Sequence, residues 1–259
     1  MKERILSALV LAPLALGALH KGGIGFLALT ALVVGCSSTE YRKMLHGTGL
    51  EVGRLFVPVC TVIALSGYSN RAEYFLASIL IGSFILAALS AELGITAAVF
   101  GVAGAIYIGG FFGTLGLLRS GPGGREWSFL VLFATWATDV GAYFGGTALG
   151  KHKIAPKISP KKSWEGAVLG LVCSMIVSGL WGRHIGLPLF FSVLAGACLG
   201  VMAEIGDLVE SGFKRYCNVK DSGRAIPGHG GFLDRLDSLL FASLGGLLLK
   251  EVYMVFFQS

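Results

Sequence analysis

YFLASILIGSFILAALSAELGITAAVFGVAGAIYIGGFFGTLGLL, residues 74–118, carries one charged side chain, Glu92. A stretch this long with so little charge cannot coat a water-facing surface, and a membrane-spanning helix needs about 20 largely apolar residues. One such helix fits on each side of Glu92, which reads as a solvated cap at a tight turn. The same pattern recurs outward in both directions. Apolar runs cover about 5–19, 22–37, 55–66, 74–91, 93–118, 127–149, 163–181, 187–208 and 238–257, and the last six are long enough to span. The first three are short, so tilting, re-entry or packing inside the bundle are the alternatives to spanning.

Composition agrees with this reading. Of 259 residues, 54% are hydrophobic and 14% charged, against roughly 25% charged in a soluble domain. The five cysteines, Cys36, Cys60, Cys173, Cys198 and Cys217, are widely spaced and form no C-x-x-C pair, which excludes a disulfide scaffold. The fold expected is an all-α integral membrane protein, a polytopic bundle of about nine transmembrane helices with the N-terminus in the cytoplasm. The first run follows Lys2 and Arg4 as in a signal peptide. No A-x-A site follows it and further apolar runs do, so it reads as an uncleaved anchor.

In that topology 15 of the 21 Lys and Arg face the cytoplasm, as the positive-inside rule requires. The expected location is the cytoplasmic membrane, multi-pass, with the charged site facing the cytoplasm. The net charge of +6 is then local to that face and suits lipid head groups and nucleotide phosphates. No basic helix or aromatic platform stands apart from the membrane, so no nucleic-acid partner is expected. A homodimer is left open.

Charge gathers in two stretches, 151–165 and 204–237. The second contains AEIGDLVESGFKRYCNVKDSGRAIPGHGGFLDRLDS, Ala203 to Ser238. Glu204, Asp207 and Glu210 recur every three residues and share one broad helix face. Asp234 and Asp237 repeat the spacing, and Asp221 lies between. Carboxylates this close repel one another unless cations hold them, and Mg²⁺ with oxygen ligands is the natural counter-charge. Lys214, Arg215, Lys220, Arg224 and Arg235 are interleaved, and a solvated loop of mutually neutralising salt bridges would have the same composition. Against that stands Pro227-Gly228-His229-Gly230-Gly231, whose glycines let backbone N–H groups approach an anion. Together these features read as a site for phosphate chemistry.

Asp139 sits within an apolar run, where an ionisable side chain costs about 2.5 to 3.5 kcal/mol on insertion scales. It is a candidate to hold or orient a metal, or to make a buried hydrogen bond to a neighbouring helix. Gly141, Gly145, Gly146 and Gly150 after it have the spacing of close helix packing. In 151–165, Ser163 can cap the following helix and Glu165 can complement its dipole. Lys151, Lys153 and Lys157 are sufficiently explained as topology signals.

The segment SGFKRYCNVKDSGRAIPGHGGFLDRLD, Ser211 to Asp237, resembles the signature of the CDP-diacylglycerol synthases, or phosphatidate cytidylyltransferases. Ser211, Lys214, Arg215, Lys220, Asp221, His229, Gly230, Gly231, Asp234, Arg235 and Asp237 meet every position of that pattern. The resemblance runs back through EIGDLVES and SPKKSWEG to WATDVGAYFGG. It implies a catalytic membrane domain over 121–259, preceded by hydrophobic helices over 1–120. It implies further that CTP and phosphatidate give CDP-diacylglycerol and pyrophosphate for phospholipid biosynthesis. Asp207, Lys220, Asp221, Asp234 and Asp237 are then the catalytic candidates. Two Mg²⁺ ions would be held among Asp139, Asp207, Asp221, Asp234 and Asp237. Ser159, Lys161, Lys162, Ser211, Lys214, Arg215, His229, Gly230, Gly231 and Arg235 would bind substrate.

Two rival classes fit less well. A CDP-alcohol phosphotransferase needs D-x-x-D-G, whereas Asp234-Arg235-Leu236-Asp237 is followed by Ser238. A transporter would place charge near the midplane on paired broken helices, and here charge gathers at one interface.

Overall fold

A computed structural model describes residues 2–257, without the side chains of residues 2–6 and 8, so those of Lys2 and Arg4 fall outside the description. In chain order the elements are α1 (Lys2–Lys21), α2 (Gly23–His46), α3 (Phe56–Ser66), α4 (Ala72–Ser90), α5 (Ile95–Gly104) and α6 (Phe111–Ser120). There follow α7 (Gly124–Leu149), β1 (Lys153–Ala155), β2 (Ser159–Ser163), α8 (Trp164–His184), α9 (Leu189–Tyr216) and α10 (Asp237–Phe257). A π-helical turn, Ala105–Gly110, joins α5 to α6 without a break.

Six helical stretches among the described residues are long and apolar enough to cross a membrane: Gly23–His46, Ala72–Leu93, Ile95–Ser120, Trp164–His184, Leu189–Tyr216 and Asp237–Phe257. The protein is therefore a nearly all-α membrane chain. α3 has only 11 residues, about 16 Å at 1.5 Å per residue, roughly half a hydrocarbon core. α7 has 26 residues and ample length, but Thr135, Thr138 and Asp139 dilute its apolar character.

The departure from all-α is the β1–β2 hairpin, antiparallel with Lys153 opposite Ser163 and Ala155 opposite Ser159. Pro156 and Pro160 deny this stretch the N–H groups a helix needs. Ser163 ends the hairpin and caps α8 as its sequence suggests, its hydroxyl accepting from the Gly166 N–H at 3.2 Å. Glu165, in the first turn of α8, accepts from the Lys151 and His152 N–H groups and contacts His152 Nδ1 at 2.6 Å. This ties the two ends of the hairpin together.

The chain packs as two compact units: Met1–Arg125 with Tyr216–Leu236, and Glu126–Arg215 with Asp237–Ser259. In the first, Arg119 of α6 donates to Leu19 O at 2.7 Å and His20 O at 3.1 Å, satisfying carbonyls at the end of α1. A Cβ on Gly67 would overlie the Gly113 carbonyl, so backbones meet there, and one on Gly104 would lie 2.6 Å from the Tyr41 ring, so an aromatic side chain packs onto bare backbone.

In the second unit small residues bring α7 and α8 together as the glycine spacing suggests. Cβ atoms would lie 2.9 Å from Gly170 Cα on Gly141, 2.8 Å from Ala142 O on Gly166, and 2.7 Å from Thr138 O on Gly170. Backbone oxygens cannot yield as a flexible side chain can. Gly170→Ala should therefore cost about 1 to 3 kcal/mol through overpacking and lower the melting temperature in detergent. Gly25→Ala, with nothing within 4 Å of the added atom, should not lower it. Equal melting of the two variants would contradict this packing.

Candidate active site

The second unit gathers its charge on the last turns of α9. Lys162, reaching in from β2, lies 2.7 Å from Glu204 Oε2 and 2.9 Å from Asp207 Oδ2. Burial pulls the Lys162 pKa down, but the Asp207 and Glu204 carboxylates outweigh it and hold the pKa above the ordinary lysine value. The ammonium is fully charged at neutral pH as a result. Ser211 donates to Asp207 Oδ1 at 3.1 Å. Lys214 pairs with Glu210 one turn back, and both are buried. Arg215 Nε donates to Ile158 O at 3.1 Å, fastening the hairpin turn to α9.

Asp139 on α7 and Asp237 at the start of α10 belong to the same unit. Ser238 joins them, its hydroxyl donating to Asp139 Oδ1 at 3.2 Å and its N–H to Asp237 Oδ1 at 2.8 Å. The hydrogen bond considered for Asp139 thus exists. Asp237 is buried and faces the charges of Asp207, Glu210 and Asp139. Among the described residues, no three His, Cys, Asp or Glu side chains form a ready cation cage.

The first unit holds the glycine turn. Ile226 N–H donates to Gly230 O at 2.9 Å, closing the loop around Pro227 to His229. Gly228 and Gly230 take φ of +75° and +84°, the left-handed region that favours glycine. One N–H of this turn, that of Gly231, meets an anion, and it is the protein's own. Asp234 Oδ2 accepts from Gly231 N–H at 2.8 Å, Ser222 N–H at 2.9 Å and Ser222 Oγ at 2.9 Å. His229 Nδ1 lies 2.7 Å from Ser7 Oγ of α1, and Arg235 Nε donates to His229 O at 3.1 Å. Lys220 and Asp221 are exposed on the loop, as is Lys161 on β2, whereas Ser159 is half-buried.

The candidate residues thus fall into two sets. Asp139, Ser159, Lys161, Lys162, Asp207, Ser211, Lys214, Arg215 and Asp237 belong to one unit. Lys220, Asp221, His229, Gly230, Gly231, Asp234 and Arg235 belong to the other.

Sequence reasoning missed Ser222, Ser238 and, above all, Glu40. Glu40 on α2 is 7% exposed and accepts from Phe232 N–H at 3.0 Å, Leu233 N–H at 2.9 Å and Ser222 Oγ at 3.0 Å. It is the sole acid of its helix, so the cost that singles out Asp139 would have singled it out too. Ending the apolar run at 37 placed it instead in a cytoplasmic loop, whereas the helix continues to His46.

Comparison with known proteins accords with the signature. The model of the cytidylyltransferase family matches residues 2–251. A protein of Staphylococcus haemolyticus named phosphatidate cytidylyltransferase is 33% identical over 250 residues, 93% of this chain and 95% of its own length. Its namesake in Staphylococcus saprophyticus is 33% identical over 252 residues, with the same coverage. A Staphylococcus aureus protein of that name reaches 48% identity over 117 residues, 44% of each chain. With its family model matched almost from end to end, the chain belongs to the cytidylyltransferase family.

Proposed function

We propose that this protein transfers the cytidylyl group of CTP to phosphatidate, giving CDP-diacylglycerol and pyrophosphate, at the cytoplasmic face of the cell's inner membrane. The observation that carries the reading is the complete Ser211 to Asp237 signature in a membrane-spanning member of this family, whose full-length relatives are named for that reaction. The nine-crossing topology with a cytoplasmic N-terminus belongs to the proposal, supported by the division of Lys and Arg between the two sides.

A phosphate monoester with a second pKa near 6 is mostly dianionic at neutral pH. The attacking oxygen of phosphatidate is thus already deprotonated, and no strong base is required. A bond forms from that oxygen to the α-phosphorus of CTP. The bond from the α-phosphorus to the oxygen bridging to the β-phosphorus breaks, and the electron pair leaves with pyrophosphate. What the chain must supply is alignment of two polyanions and stabilisation of the departing charge. Exposed Lys161, Lys220 and Arg224 provide cations for phosphate oxygens. Lys162 remains charged between Glu204 and Asp207, and a phosphate arriving there would compete with those carboxylates.

The donor chemistry fits Mg²⁺. Every candidate ligand is a carboxylate, and the buried Asp237 faces three like charges. Mg²⁺ is commonly held by one or two carboxylates together with substrate phosphates rather than by a full protein cage. Asp139, Asp207 and Asp237 would hold it in one unit, and Asp221 and Asp234 are the separate candidates in the other. When bound, the ion would neutralise phosphate oxygens and favour pyrophosphate departure.

Purified protein should convert CTP and phosphatidate only when a divalent cation is present, and full activity in excess chelator would exclude this reading. Asp237→Asn keeps an oxygen for the Ser238 N–H while removing the charge. Its turnover should fall by about two to three orders of magnitude, with melting unchanged. Lys153→Gln, at an exposed hairpin position, should retain near-normal turnover. Kinetics at saturating Mg²⁺ check both variants, and the opposite ranking would place the reactive centre elsewhere.

A further inference from the structure

Glu40 has no part in the bond changes just described, yet the loop bearing Asp234 is built around it. Its two oxygens face three donors of that loop, all between 2.9 and 3.0 Å away. Two glycines make room for it. A Cβ on Gly223 would lie 2.7 Å from Glu40 Oε1, and one on Gly231 would fall on both Ser222 Oγ and Glu40 Oε2. A third, Gly230, leaves space for Asp234 Oδ2, which would be 2.6 Å from a Cβ there.

Ser222 is the hinge of the arrangement. Its hydroxyl is 3.0 Å from Glu40 Oε2 and 2.9 Å from Asp234 Oδ2. A serine hydroxyl carries one proton, so it can donate to only one of the two carboxylates at a time. Whatever alters the hold of Glu40 on that proton alters what Asp234 receives.

We infer that Glu40 is a positioning residue for the proposed transfer, setting the Asp234 carboxylate through Ser222 and through the Phe232 and Leu233 backbone. The inference rests on the function proposed above, in which Asp234 is a cation ligand. Partners that orient a ligand from behind typically change metal affinity or activity by about 10 to 100-fold when removed. Glu40→Gln is the informative change. Two of the three loop groups facing residue 40 are N–H groups that can only donate, so an amide NH₂ sets a donor against a donor, and where it faces Ser222 it donates to the hydroxyl oxygen and releases that proton to Asp234.

The test uses the full-length protein in detergent, with Mg²⁺-dependent turnover of CTP and phosphatidate, Mn²⁺ binding by electron paramagnetic resonance, and thermal melting. In Glu40→Gln the half-saturating Mg²⁺ concentration and the Mn²⁺ dissociation constant should each rise about tenfold or more. The KM for CTP at saturating Mg²⁺ should move much less. A purely structural role would lower melting or the active fraction and leave both cation constants at the wild-type value. That result overturns the inference, as does a wild type that binds no Mn²⁺. If Glu40→Gln does not fold, Ser222→Ala decides. It keeps the bonds from Glu40 to Phe232 and Leu233 and removes only the bridge, and wild-type cation constants there would again overturn it. A wild type that binds Mn²⁺ but makes no CDP-diacylglycerol would defeat the proposed function instead, leaving the Mn²⁺ titrations to judge Glu40.

Discussion

A carboxylate withdrawn from water must be met by donors or cations, because an uncompensated buried charge costs several kcal/mol, and this requirement organises the polar half of the molecule. Among the described residues, several buried or half-buried acids are answered by specific partners. Glu40 is answered by the Phe232 and Leu233 N–H groups and Asp234 by the Ser222 and Gly231 N–H groups, with the one Ser222 hydroxyl proton shared between the two carboxylates. Glu210 is answered by Lys214, and Glu204 and Asp207 by Lys162. Pairings of this kind stabilise less than they specify. They fix where the hairpin meets α9 and how the glycine loop is folded over α2.

The apolar half obeys a different rule. Inside a bilayer there is little hydrophobic gain in bringing one helix against another, so association depends on close approach of backbones. Gly141, Gly166 and Gly170 between α7 and α8, and Gly67 in the first unit, provide that approach. The two rules meet where Ser238, at the start of α10, bonds both Asp237 beside it and Asp139 within α7.

Membrane character could be read from the sequence because it depends on composition over windows of about 20 residues, which needs no tertiary knowledge. Asp139 stood out for the same reason, as a charge inside an apolar run. The Ser211 to Asp237 loop stood out because residue type and spacing alone identify it. Pairing across long separations was not legible: nothing local to Lys162 points to Glu204, 42 residues on, and nothing local to Glu40 points to Leu233, 193 residues on. The hairpin was hidden because its lysines read equally well as a topology signal. The glycine turn reads from sequence as a phosphate cradle; in this structure its Gly231 N–H donates to the Asp234 side chain, a pairing that only the folded loop reveals.

In the proposed reaction the α-phosphoryl group of CTP, with its cytidine, ends on the lipid while the β and γ groups leave. Two parallel reactions with purified protein, phosphatidate and Mg²⁺ test this most directly, one with CTP labelled by ³²P at the α position and one labelled at the γ position. The account predicts α-label in the lipid fraction and γ-label in pyrophosphate. Label from the γ position in the lipid would mean phosphoryl rather than cytidylyl transfer and would contradict the account.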